Sequence, residues 1–125
     1  MKNLHLIISA IVMITIAFTY GIAPGASLPM LFDFRVETID LHNIFRAIMS
    51  LYIGMIMIWV FGIFRPRYWE TASIVNIVFM SGLAIGRFIS FAADGIPSIT
   101  LVIGFFMEAF LAAFSYFNWK KYRVR

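Results

Sequence analysis

Three charged side chains interrupt long apolar runs: Arg46, Arg87 and Glu108. A charge at the centre of a bilayer costs about 2.5–3.5 kcal/mol even on the lenient insertion scale, so such groups turn inward and pair. A guanidinium fork suits a carboxylate or phosphate in two-point fashion. A buried glutamate can balance that charge or carry a proton. Neighbours share their faces. His42, Arg46, Ser50 and Gly54 step by four, with Asn43 beside them and Asp40 as a natural helix cap. Asn76, Met80, Leu83, Arg87 and Ser90 follow a three-four rhythm, and Gly104, Glu108, Ala112 and Ser115 form a small-residue face around the acid. Gly82 and Gly86 make a GxxxG pair, which with Gly54 and Gly104 predicts close helix packing.

Other chemistries lack their residues. Without cysteine there are no disulfides, thiolate metal sites or thiol nucleophiles. His5 and His42 belong near opposite faces and no third nitrogen ligand exists, so no metal and no cofactor are expected. His42 beside Glu37 or Asp40 reads more simply as a solvated helix-end histidine than as a proton carrier. Ser50, Ser81 and Ser90 have no histidine at a fitting depth for a hydrolase triad. The eight scattered methionines suit flexible packing. A membrane enzyme acting on a lipid or quinone would have only Glu108 and His42 as acid or base, at different depths, so it ranks behind a protein that is not an enzyme.

The elements that must position these residues follow from composition. Of 125 residues 62% are hydrophobic and only 13% charged, against about 25% charged in soluble domains. A soluble fold this small could not hide so much apolar surface. Four runs match the length of roughly 20 residues that a spanning helix needs: residues 4–23, 41–64, 71–93 and 98–118, ended by Pro24-Gly25, Arg65-Pro66, Asp94-Gly95 with Pro97, and a basic tail over 119–125. The sequence therefore predicts an all-α polytopic membrane protein, an antiparallel four-helix transmembrane bundle in one domain. The first run carries Lys2 and small residues at Ala23 and Gly25, as a signal peptide would. It is long enough to span and is read as a true helix. Residues 24–40 form the one long outer loop, in which Ser27 could cap a short helix near Pro29. That loop reads either as a segment on the membrane surface or over the bundle mouth, or as an ordinary loop with a greasy side.

Charge sets the expected orientation. Lys2, Arg65, Arg67, Lys120, Lys121, Arg123 and Arg125 would lie on one side, and Arg35 with Asp33, Glu37, Asp40 and Asp94 on the other. By the positive-inside rule both termini are cytoplasmic. Trp59, Tyr68, Trp69, Tyr116, Trp119 and Tyr122 would gather near the inner boundary. The formal charge of +4 is thus a topology signal, and nucleic acid is not an expected partner. At a rise of about 1.5 Å per residue, Arg46 and Arg87 lie roughly 8–9 Å below the outer edge of the core and Glu108 roughly 15 Å down.

The segments His42-Asn-Ile-Phe-Arg46-Ala-Ile-Met-Ser-Leu-Tyr52-Ile-Gly54, Gly82-Leu-Ala-Ile-Gly86-Arg87-Phe-Ile-Ser90 and Asp94-Gly95-Ile-Pro97-Ser98, with Glu108 beyond them, form three ordered blocks. Together they resemble a bacterial family of small four-helix membrane proteins, domain-of-unknown-function family number 4345, over nearly the whole chain. Ser50 departs from the family's usual glycine. The resemblance implies a bacterial inner-membrane protein with matching polar residues at Arg46, Arg87, Asp94 and Glu108, and it carries no activity.

Two readings of the buried charges stand. One is structural glue that fixes helix register. The other is a polar pocket of Arg46, Arg87, Glu108, His42, Asp94 and Asp40 that opens outward and binds or moves a small amphipathic or anionic ligand. The competing role for the whole chain is a non-catalytic accessory or assembly subunit. The expected partners are membrane lipids, with a membrane protein or a second copy of the chain as the alternative.

Overall fold

The computed structural model describes residues 1–124 and contains only helices and connections. In chain order they are α1 Leu4–Gly21, α2 Pro24–Leu31, α3 Ile39–Phe64, a single 3-10 turn at Pro66–Tyr68, α4 Trp69–Asp94 and α5 Ile99–Tyr122. α1, α3, α4 and α5 are long and apolar enough to cross a membrane. Lipid offers no partner to backbone amides, so a crossing chain must satisfy them within its own helices. Many large apolar side chains, such as Val78, Phe106, Phe110 and Phe117, are exposed. Water would reject such a surface and lipid accepts it.

The helix ends differ from expectation in ways that have local causes. α1 stops at Gly21, and α2 begins directly at Pro24, with Ala23 as its N-cap. Proline suits the first helical position because its missing amide hydrogen would have no partner there. Pro29, expected near the start of a short helix capped by Ser27, lies inside α2. α3 begins two residues earlier than predicted. Its N-cap is Thr38, whose side chain accepts from the Leu41 amide at 3.1 Å, and Asp40 sits in the first turn instead of capping it. α4 ends at Gly95, whose φ of 96° is a conformation that side chains disfavour. α5 runs on to Tyr122, so residues 119–122 of the predicted tail are helical. No proline or glycine interrupts that stretch, and Lys120 and Lys121 are favoured beside the last free carbonyls.

α1 packs along α3, α4 along α5, and α3 along α4, while α1 and α5 touch sparsely. The core draws on Leu6, Met13 and Ala17 of α1, Tyr52, Ile56 and Trp59 of α3, Trp69, Ala72 and Met80 of α4, and Leu111 of α5. Trp59 and Trp69, two of the rings expected near the inner boundary, are buried in the bundle, 0% and 3% exposed. Two glycines mark tight approaches: a Cβ on Gly62 would run into the Ala72 side chain, joining α3 to α4, and one on Gly21 into the Met49 side chain, joining α1 to α3. The predicted packing glycines behave otherwise within this chain. A Cβ on Gly54, Gly82 or Gly86 would meet nothing within 4 Å, and Gly104 faces the Arg87 guanidinium. The GxxxG edge of α4 therefore borders open space instead of packing closely on another helix.

Candidate functional site

Glu108 stands near the middle of α5, and Arg87 comes from the last third of α4. Arg87 Nε donates to Glu108 Oε2 at 2.6 Å and Nη2 donates to Oε1 at 2.9 Å, a two-point fork. The Glu108 side chain is 1% exposed and that of Arg87 21%. Gly104, one turn before the acid, lies beside the fork: a Cβ there would sit 3.8 Å from the guanidinium carbon, an ordinary contact. The pair is net neutral. A guanidinium carries five N–H donors; two are spent on Glu108 and the Tyr20 hydroxyl lies beside another, so donors remain for something else.

That pair forms the floor of a cleft of about 470 Å³ between α1 and α5. Ile11, Thr15, Ile16 and Thr19 line one wall, and Leu101, Ile103 and Met107 the other. Leu31 and Phe32 close it at the far end from the chain termini. Apart from the ion pair and threonine hydroxyls the walls are apolar. Tyr20 also lines the cleft and belongs to an aromatic group, with ring centroids 6.1 Å from Phe32, 5.8 Å from Phe45 and 5.9 Å from Tyr52. The cleft exists because α1 and α5 are neighbours around the bundle that barely touch.

The other predicted site residues lie elsewhere. Arg46 does not join Glu108. Its Nη1 donates to the carbonyl oxygen of Gly21 at 3.1 Å. The reason is the early end of α1, which leaves carbonyls in need of donors, and α3 brings Arg46 alongside them. With Arg46 outside the cluster, one arginine faces one acid and no surplus positive charge remains. His42 Nδ1 lies 2.8 Å from the Thr38 carbonyl oxygen in its own first turn. Asp40 is exposed in that same turn. Asp94 accepts from Ser90 Oγ at 3.0 Å and makes no pair with Arg87.

A second polar group, at the terminal end of the bundle, went unnoticed in the sequence. His5 Nε2 is 2.9 Å from Ser73 Oγ, and Ser73 donates its hydroxyl hydrogen to the Trp69 carbonyl at 2.8 Å. Nε2 must then be the donor to Ser73, which leaves Nδ1 to accept from Asn118 Nδ2 at 2.6 Å. Asn118 also donates to the Lys2 carbonyl at 2.8 Å, and Asn76 donates to Ser9 Oγ at 2.9 Å. Asn3 donates to the Ile63 carbonyl at 3.2 Å. These bonds draw residues 2–9, 63–76 and 118 together. The signal for them was the spacing of His5 with Ser9 on α1 and of Ser73 with Asn76 on α4, polar residues stacked on one face of an apolar helix. Ser73, His5 and Asn118 have the order of a nucleophile, base and orienting amide, but Ser73 and His5 are 0% exposed and the hydroxyl hydrogen is committed to the backbone. The group is interhelical glue of the kind common in membrane bundles.

The chain belongs to the family described as Domain of unknown function (DUF4345), whose model matches residues 1–118. No curated protein matches the chain, and neither does any solved structure.

Proposed function

We propose that this protein binds a small, uncharged amphipathic molecule in the cleft between α1 and α5, with the polar head on Arg87 and the apolar part along the walls. The observation that carries this reading is a neutral Arg87–Glu108 pair with donors left over, on the floor of an otherwise apolar cleft. A pair required only for register would gain from having its remaining donors bonded to protein acceptors, because buried polar groups without partners are costly. An anion would find no surplus charge here, since Glu108 cancels Arg87 and Arg46 is engaged at Gly21. A carbonyl, ester or hydroxyl oxygen needs only the donors.

The reading sets the protein in a bacterial inner membrane, with both termini in the cytoplasm and the cleft in the outer half. Support comes from the basic residues at 2, 65, 67, 120, 121 and 123 and from the bonds that gather the two ends of the chain beside the 3-10 turn. Membrane lipids are then the natural source of the guest. A second role, as a non-catalytic subunit of a larger membrane complex, is favoured by the open edge at Gly54, where a side chain would meet nothing within 4 Å.

Native mass spectrometry in mild detergent, with monooleoylglycerol as probe, tests the binding reading. The wild-type chain should retain the probe. The Arg87→Met/Glu108→Leu double variant keeps an apolar fit, because replacing a buried ion pair by hydrophobic residues is often neutral. It should bind about tenfold less or worse, the value of a hydrogen bond from a charged donor. Equal retention by both proteins would sink the proposal. A stoichiometric protein partner in place of lipid would favour the subunit role.

A further inference from the structure

Arg87 lines two clefts. The second, of about 410 Å³, lies between α3 and α4 on another side of the bundle. Its walls include Phe45, Ile48, Gly82, Gly86 and Phe91. Tyr20, Arg87 and Leu101 belong to both. The cause is the uneven packing of the bundle. At the terminal end, Gly62 against Ala72 and the bonds from His5 to Ser73 and Asn76 to Ser9 hold the two halves close. Towards the far end no such device joins α3 to α4 or α1 to α5. Apolar space opens on both sides of the Arg87–Glu108 pair. Gly82 and Gly86 form part of the wall of the second cleft. A Cβ at Gly82 or Gly86 would enter empty space without meeting an atom within 4 Å.

One hydrogen-bonding centre between two apolar arms has a molecular counterpart. We infer that the guest is a two-chain lipid with an uncharged head, of the diacylglycerol class, seated on Arg87 with one chain in each cleft. This rests on the binding reading above and narrows it from amphiphiles in general to two-chain ones. The head class follows from charge: the fork with Glu108 neutralises the guanidinium, so ester carbonyls and a hydroxyl suit the remaining donors better than a phosphate does. A single-chain molecule would fill one arm and leave the other to bulk lipid.

Competition between probes decides it. Wild-type protein in mild detergent is offered monooleoylglycerol, dioleoylglycerol and dioleoylphosphatidylglycerol, and the retained species are weighed by native mass spectrometry. Dioleoylglycerol should be preferred over the single-chain probe by about tenfold, since a second buried chain adds apolar contact. The Gly82→Leu/Gly86→Leu variant fills the second cleft and should bring the two affinities level without weakening monooleoylglycerol. Ile48→Trp, which fills it from α3, should do the same and serves as a check if the first variant folds poorly. Binding of the single-chain probe with no diacyl preference in the wild type would overturn this inference and leave the simpler reading standing. A diacyl preference that survives both fillings would overturn it as well. Retention of neither glyceride would sink both, and a preference for the phosphatidylglycerol would overturn the uncharged head.

Discussion

Glu108 has no exposure to speak of and one partner, so its charge is tolerable only while Arg87 holds it. Removing a single member of a buried ion pair strands the other, which typically costs 3–5 kcal/mol. Arg87→Met should therefore destabilise the protein by about that amount in a thermal or denaturant titration in detergent. The double variant with Glu108→Leu should recover most of it. A single variant as stable as the wild type would mean that Glu108 is not held as described. At this scale the sequence was informative about need and silent about choice. It showed that an acid near mid-span requires a cation. It offered Arg46 and Arg87 on equal terms, because both sit at similar depth on helices with polar stripes. Arg46 went instead to the carbonyl of Gly21, a partner invisible until α1 was seen to end there.

Between α3 and α4 the glycines mark a closed end at Gly62 and an open one at Gly82 and Gly86, while Gly21 packs α1 tightly on α3 at Met49. Gly62 and Gly82 both lie within long apolar helices and look alike in the sequence. Gly62→Ala would push against Ala72 and should cost about 1–3 kcal/mol, the usual penalty of overpacking. Gly82→Ala enters open space and should be neutral or slightly stabilising, since alanine is the better helix former. Melting of the two variants side by side checks this, and equal losses would contradict the uneven packing. Helix boundaries followed the same logic. Proline, glycine and charge located each break to within a few residues. Which of Ser27, Thr38 and Asp40 would cap a helix depended on where the chain turned, and only Thr38 does so with its side chain.

At the scale of the whole molecule, four long apolar helices make a multi-pass membrane protein, and the proposed orientation is open to a direct measurement. The chain has no cysteine, so single cysteines report without background. In intact cells a membrane-impermeant maleimide should label Arg35→Cys in the loop between α2 and α3 and leave Arg67→Cys in the 3-10 turn untouched. The opposite pattern would reverse the orientation and move the clefts to the inner leaflet. Composition and the spacing of helix breakers were enough, by themselves, to determine that the chain is helical, how many spans it has and roughly where each ends. The physical reason is that lipid forbids any unpaired backbone, whatever the neighbours do. The rotation of each helix about its axis was decided only by packing. It selected Arg87 for Glu108, hid His5 among Ser73 and Asn118, and left α1 apart from α5 beyond the terminal end. Those outcomes depend on contacts between residues far apart in the chain, which local periodicity does not encode.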